Sequence, residues 1–197
     1  MARRTRWMAR VAVASGLLAA GAAIGQSDRL FFEVSNDIGP SRPSAVVTLW
    51  ATHDPRDFAV AAMGGGLEAS EGTWSDIAIV PPMDGPVTTP GTVVDARRVE
   101  GIIAGQLHFI GAGIYADPSN PIAVWRGEIE VLDFTPRTIG LASLINRFDV
   151  YVSAESSFID SRLSTLEQAA GTIRVVPAPA SGAILVLGVL TAAGRRR

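Results

Sequence analysis

Two histidines, nineteen carboxylates and no cysteine are the side chains with the most chemistry to offer in this 197-residue chain. Without cysteine there is no thiol nucleophile, no disulfide framework and no zinc ribbon. A hydrolytic triad would need His53 or His108 beside a nucleophilic Ser and an orienting acid. No G-x-S-x-G elbow and no H-E-x-x-H motif accompanies either. His108 stands between Leu107 and Phe109, where a hydrogen-bonded structural imidazole is the expectation, and His53 precedes the Asp54-Pro55 turn, where it is expected to face water.

Glu128, Glu130 and Asp133 invite comparison with a glycosidase carboxylate pair, which needs two carboxyls across a cleft with one pKa raised by burial. On a strand, positions i and i+2 share one face and one solvent, so neither glutamate is distinguished as acid or base. Gly64-Gly65-Gly66 lacks the Lys-Ser/Thr of a P-loop and the G-x-G-x-x-G spacing of a dinucleotide site, and reads as a bulge or bend between strands. A structural Ca²⁺ is the one ion the composition permits, through Asp54-Pro55-Arg56-Asp57 or Asp117-Pro118-Ser119-Asn120. The competing reading is a plain Asx turn, and no cofactor is called for. Among the tryptophans, Trp50 and Trp125 lie in apolar runs and are expected in the core. Trp74, in Glu71-Gly72-Thr73-Trp74-Ser75, is expected in a loop and is the candidate glycan contact.

The elements that must position these groups read as strands. Val46, Thr48 and Trp50 alternate with Val47, Leu49 and Ala51, bounded by Pro43 and by His53-Asp54-Pro55. Similar runs occupy 30–34, 58–63, 77–80, 99–110, 122–134, 137–141, 148–152 and 172–176, separated by Gly, Pro, Asn and Asp turn signals, with 81–90 the best long loop. Only 161–170 has helical composition. The pattern predicts an all-β fold, a single antiparallel β-sandwich or jelly roll of roughly eight to ten strands. It would bury Val47, Leu49, Ile129, Val131, Val150 and Val152.

Charge is segregated along the chain. Arg3, Arg4, Arg6 and Arg10 mark one end and Arg195, Arg196 and Arg197 the other, leaving ten Arg against all nineteen acids between residues 11 and 194. An acidic body without a basic stripe gains nothing by counterion release, so nucleic acid is not a partner. Residues 1–25 follow the order of a secretory signal peptide, an Arg-rich start, an apolar run and small residues, with Ala23 and Gly25 placed for a cut before Gln26. The body, 26–176, is then one domain handed to the export machinery. At the far end, Pro177-Ala178-Pro179 precedes an apolar run over 180–194 and the three terminal Arg. Fifteen helical residues reach only about 22 Å against a hydrocarbon core of about 30 Å, so this segment is a marginal inner-membrane anchor. Arg195, Arg196 and Arg197 act as its cytoplasmic stop.

This C-terminal segment, 177–197, resembles the PEP-CTERM sorting signal of Gram-negative exported proteins, a Pro-Glu-Pro motif followed by a hydrophobic helix and an Arg cluster. Pro177 and Pro179 match the two prolines, and Ala178 holds the place of the Glu. The resemblance implies processing by an exosortase-type membrane protease, transient anchoring in the inner membrane, and a final place at the cell surface or outside the cell in association with exopolysaccharide. The function expected is that of an exported structural protein without catalytic activity. A glycan-binding β-sandwich module is the alternative, and a glycan hydrolase the remaining enzymatic one.

Overall fold

The computed structural model describes residues 28–155 and 161–177. Among them eleven strands and one short 3-10 turn follow in order: β1 (Asp28–Val34), β2 (Ser44–Thr52), β3 (Ala59–Ala69), β4 (Thr73–Ile79), β5 (Thr92–Asp95), β6 (Arg98–Gly105), the turn Ile110–Ala112, β7 (Ile122–Glu130), β8 (Arg137–Tyr151), β9 (Ser161–Leu163), β10 (Leu166–Glu167) and β11 (Ala170–Val175). They make two sheets. The first has the order β10-β1-β2-β7-β4, and the second the order β11-β8-β3-β6-β5 with β9 added to β8. All pairings between these strands are antiparallel except β1 with β10. The all-β, two-sheet expectation therefore holds. The signal segment 1–25 and the tail from Ala178 onward lie outside the described residues.

Alternation within strands puts one set of side chains between the sheets. Ala45, Val47, Leu49 and Ala51 of β2 face inward, as do Val124 and Ile129 of β7, Met63 and Leu67 of β3, and Ile139, Phe148 and Val150 of β8. Each large apolar side chain removed from water here contributes roughly 1.5–3 kcal/mol. Ile129 and Val131 are buried while Glu128 and Glu130 share the opposite, wetter face, as the strand pattern requires.

Three expectations need correction. Val152 is 42% exposed, because β8 ends at Tyr151 and the chain leaves the sheet before Val152 can turn inward. Segments 137–141 and 148–152 belong to one strand, β8, which runs through the polar stretch Ser143 to Arg147. It does so because the Ser143 hydroxyl is satisfied by Gln168 and by the Ala169 N–H, which spares that buried group the cost of lost solvation. Segment 161–170 holds short strands and no helix: β9 pairs with β8 and β10 pairs with β1.

The outer face of the second sheet is covered at one end. Segment 106–117, between β6 and β7, folds back over it, and Tyr151, Ala59, Ala61 and Ala116 close into a second small apolar cluster. The clasp is polar as well. Gln106 donates to the Val60 carbonyl and accepts from the Asp117 N–H, and the Tyr151 hydroxyl donates to the Gln106 carbonyl at 3.0 Å. Burial of that phenol raises its pKa.

Candidate functional site

Beyond the clasp, the outer face of the second sheet is open and holds a trough of about 610 Å³. Its floor is Gly64-Gly65-Gly66 of β3. Leu144 and Arg147 of β8 form one wall, and Glu100 and Ile103 of β6 the other. At Gly65 and Gly66 the backbone demands glycine. Strand register shifts around Gly65 toward both neighbours, and φ at Gly65 is +152°. A Cβ there would lie 2.5 Å from the Leu144 carbonyl oxygen and 2.6 Å from Ile145 Cα. Gly64-Gly65-Gly66 is thus a bulge, as expected, but inside one continuous strand instead of between two.

The trough continues toward the clasp, since Ile103 and Arg147 also line a second hollow of about 220 Å³ that reaches Leu107 and Tyr151. Arg147 is held by Asp149 at 2.6 Å, a buried carboxylate that lines the second hollow. Leu107, Phe109, Ile110, Ile114 and Tyr115 stand exposed on the covering segment, and Leu107 also lines the second hollow. A groove of this make offers shape, apolar contact and a few fixed charges.

The sequence-derived candidates are dispersed. Trp74, expected in a loop as a glycan contact, is 3% exposed: β4 starts at Thr73 and alternation turns its indole inward. It meets Trp125 edge-on with centroids 5.3 Å apart and donates from Nε1 to the Arg97 carbonyl. Trp125 is core as expected, but Trp50 is not. It shares parity with Thr48 on the outer face of the first sheet, its ring parallel to Phe31 and its Nε1–H donated to Glu33 Oε2 at 2.8 Å. Pro177 is exposed just after β11. Ala178, Pro179, Arg195, Arg196 and Arg197 lie outside the described residues.

The titratable groups are used structurally. His108 is fully buried; its Nδ1 accepts from the Ala116 N–H and its Nε2 lies 2.8 Å from the Ala154 carbonyl, which assigns the proton to Nε2. His53, expected in water, is buried because Asn120 bonds its backbone on both sides. Its Nδ1 meets the Asp54 carbonyl and its Nε2 has no partner. Ser164 and Asp28 lie at the same end of the molecule, but the Ser164 hydroxyl donates to the carboxylate of Asp28 and not to a histidine, so these residues do not form a triad. Burial, reinforced by Asp57, raises the pKa of Asp28 against the lowering effect of the Asp54 N–H.

Both candidate calcium loops are Asx turns. Asp54 gives both oxygens to Arg56, which holds its pKa well below the usual carboxylate range, and Asp117 accepts from the hydroxyl and N–H of Ser119, which lowers its own. Among the described residues no three His, Asp or Glu side chains are grouped to hold a metal. Nor is any helix there long and apolar enough to cross a membrane.

The trough and the outward Trp50 both escaped the sequence reading. Each left a trace: three glycines flanked by apolar alternation signal close backbone approach within a strand, and the β2 alternation that buries Val47 and Leu49 also turns Trp50 outward.

No protein-family model matches the chain, and no curated protein matches it. Solved structures do share its fold. The seventh ScaB type I cohesin from Pseudobacteroides cellulosolvens aligns with a TM-score of 0.52 at 9% identity, over 79% of this chain and 96% of that one. The Coh-OlpA-Doc918 structure, a type I cohesin–dockerin complex from Clostridium thermocellum, aligns with a TM-score of 0.52 at 12% identity, over 77% of this chain and all of that one. At such identities the likeness is one of fold, and the fold of this chain is a cohesin-like β-sandwich.

Proposed function

We propose that this chain is an exported, non-catalytic adhesion module that holds a protein partner on the outer face of its second sheet. The observation that carries the reading is the trough: a glycine floor open to solvent, walled by Leu144, Ile103 and Arg147 and continuous with the hollow that reaches Leu107. Backbone accessible between side-chain walls suits an inserted peptide element, because shape and main-chain polarity then do the recognising. A cohesin of this fold was solved holding a dockerin, which favours a protein occupant.

A photo-crosslinking residue at Leu144, in the full-length protein in its native host, tests the reading. A discrete adduct with one protein, abolished by Arg147→Glu, is expected. An adduct pattern matching that of the same probe at Thr165, away from the trough, would sink it.

Export and sorting complete the proposal. The segment from Pro177 through Ala178 and Pro179 to Arg195, Arg196 and Arg197 has the organisation of a PEP-CTERM signal. In this reading the tail anchors the protein transiently in the inner membrane until an exosortase-type protease releases it to the surface or matrix. Deletion of 177–197 should change the distribution between cell and medium. Mass spectrometry of the mature protein should find no predominant peptide ending at Arg197; finding one would make the tail a permanent anchor.

A further inference from the structure

We propose that the outer face of the first sheet binds a neutral polysaccharide, through an aromatic platform on β1 and β2 and a polar cavity beside it on β7 and β4. The platform is Phe31 and Trp50. They are directly opposed in the β1–β2 register, their ring planes lie within 8° of parallel, and their centroids are 6.3 Å apart. Neither ring belongs to the core between the sheets; both are half-buried on the solvent side. Glu33 pins the indole by its edge through Nε1, which fixes the orientation of a ring whose faces carry the apolar area.

One step of about 7 Å along β2 from Trp50, and one strand across, Arg126 stands opposite Thr48 in the β2–β7 register. Arg126, Asp76 and Glu128 line a cavity of about 530 Å³ on this same face, within the size range of small-ligand sites. No ion pair or side-chain hydrogen bond among the described residues engages Arg126 or Asp76, so their donors and acceptors are free to take a ligand. Asp76 reaches the cavity by an unusual route. The β4–β7 register shifts between Ser75 and Ala78, and Asp76 sits in that bulge with φ of +46°, the left-handed conformation that side-chain-bearing residues seldom adopt. Such outliers collect at binding sites, where surrounding structure enforces them.

The combination selects its ligand. Parallel ring faces accept the C–H face of a pyranose, while the guanidinium and carboxylates of the neighbouring cavity satisfy hydroxyls as donors and acceptors. Glu33, Asp76, Glu128 and Glu130 outnumber Arg29 and Arg126 on this face, which disfavours an anionic polymer. A neutral, hydroxyl-rich chain is the ligand these groups fit. The proposal is independent of the protein-docking reading, which concerns the other sheet.

Affinity electrophoresis and calorimetry of the full mature protein against hydroxyethyl cellulose, laminarin, galactomannan and dextran, with alginate as the anionic probe, test it. Binding to at least one neutral polymer is expected. Trp50→Ala should weaken it at least tenfold and Asp76→Ala or Arg126→Ala several-fold, while Trp50→Tyr retains it and Leu144→Asp leaves it unchanged. Melting curves check that each variant is folded, and protection of Trp50 from acrylamide quenching by the bound polymer reads the site directly in unmutated protein. Three outcomes overturn the proposal: no neutral polymer binds, Trp50→Ala binds as the parent does without loss of quenching protection, or alginate binds more tightly than every neutral polymer.

Discussion

The two outer faces of the sandwich are built by opposite means. On the first sheet, side chains make the surface: Phe31, Trp50, Glu33 and Arg126 project from the β1–β2 and β2–β7 ladders and define what is presented. On the second, the backbone makes it, because bulges around Gly65 bring β3 against β8 and β6 so closely that no Cβ fits, and the trough is what remains. A side-chain surface can be altered at little cost to the fold. A backbone surface cannot, because its shape and the strand pairing are one structure.

The largest expected effect breaks or upholds this contrast. Gly65→Ala forces a Cβ into the Leu144 carbonyl in a conformation that favours glycine, and should cost about 3 kcal/mol. Thr48→Ala, on the other face, should stay within about 0.5 kcal/mol. Urea midpoints that shift equally for the two would erase the distinction. The next effect concerns how the clasp covers the second face. Tyr151→Phe removes a buried hydroxyl's bond to Gln106 and should cost about 1 kcal/mol, whereas Trp50→Phe, losing only a solvent-side bond to Glu33, should cost about half that. Protease cutting within 106–117 should rise in the first variant alone.

The smallest effect lies at the end of the sandwich where β1 meets β10, and it depends on pH. The pKa of Asp28 is raised on folding, so the folded state holds a proton that the unfolded chain has released; its contribution is full at low pH and is lost as pH rises through the folded value. Asp117 and Asp133 are lowered by their turn hydrogen bonds, so their contribution is present above the ordinary carboxylate value and lost as pH falls through their folded values. In stability measured against pH, Asp28→Asn should flatten the decline above about pH 4, and Asp117→Asn the decline on the acid side. If Asp28→Asn leaves the slope above pH 4 intact, burial of that carboxylate is not its source.

What could be read from the chain follows the same division. Alternation made β2 and β7 legible, because side-chain period alone decides which residues enter the core, and Val47, Leu49, Ile129, Val131 and Val150 are where that period puts them. Trp74 was misplaced because Gly72 and Thr73 look like a loop, yet the strand begins at Thr73 once β7 supplies a partner. Pairing is a tertiary fact. For the same reason β8 reads as two strands until its polar middle finds Gln168 and Ala169 from a segment over twenty residues away. The trough depended on where three glycines met two neighbouring strands, which no local pattern specifies.

The direction of β11 has a mechanical consequence. Its last residue, Val175, pairs with Arg137 at the start of β8, while Tyr151 at the other end of β8 lies under the clasp, about 45 Å away along the strand. A pull on the chain beyond Pro177, resisted by a partner seated in the trough, runs parallel to β11. The β11–β8 bonds then share the load in shear and yield together; they are not peeled one at a time. Pulling from the opposite end of β11 would unzip the same bonds singly. In force spectroscopy the rupture force should therefore be higher when the protein is held at its C-terminal side than when a handle placed at Gln168 draws β11 away from its first residue, and equal forces would contradict this geometry.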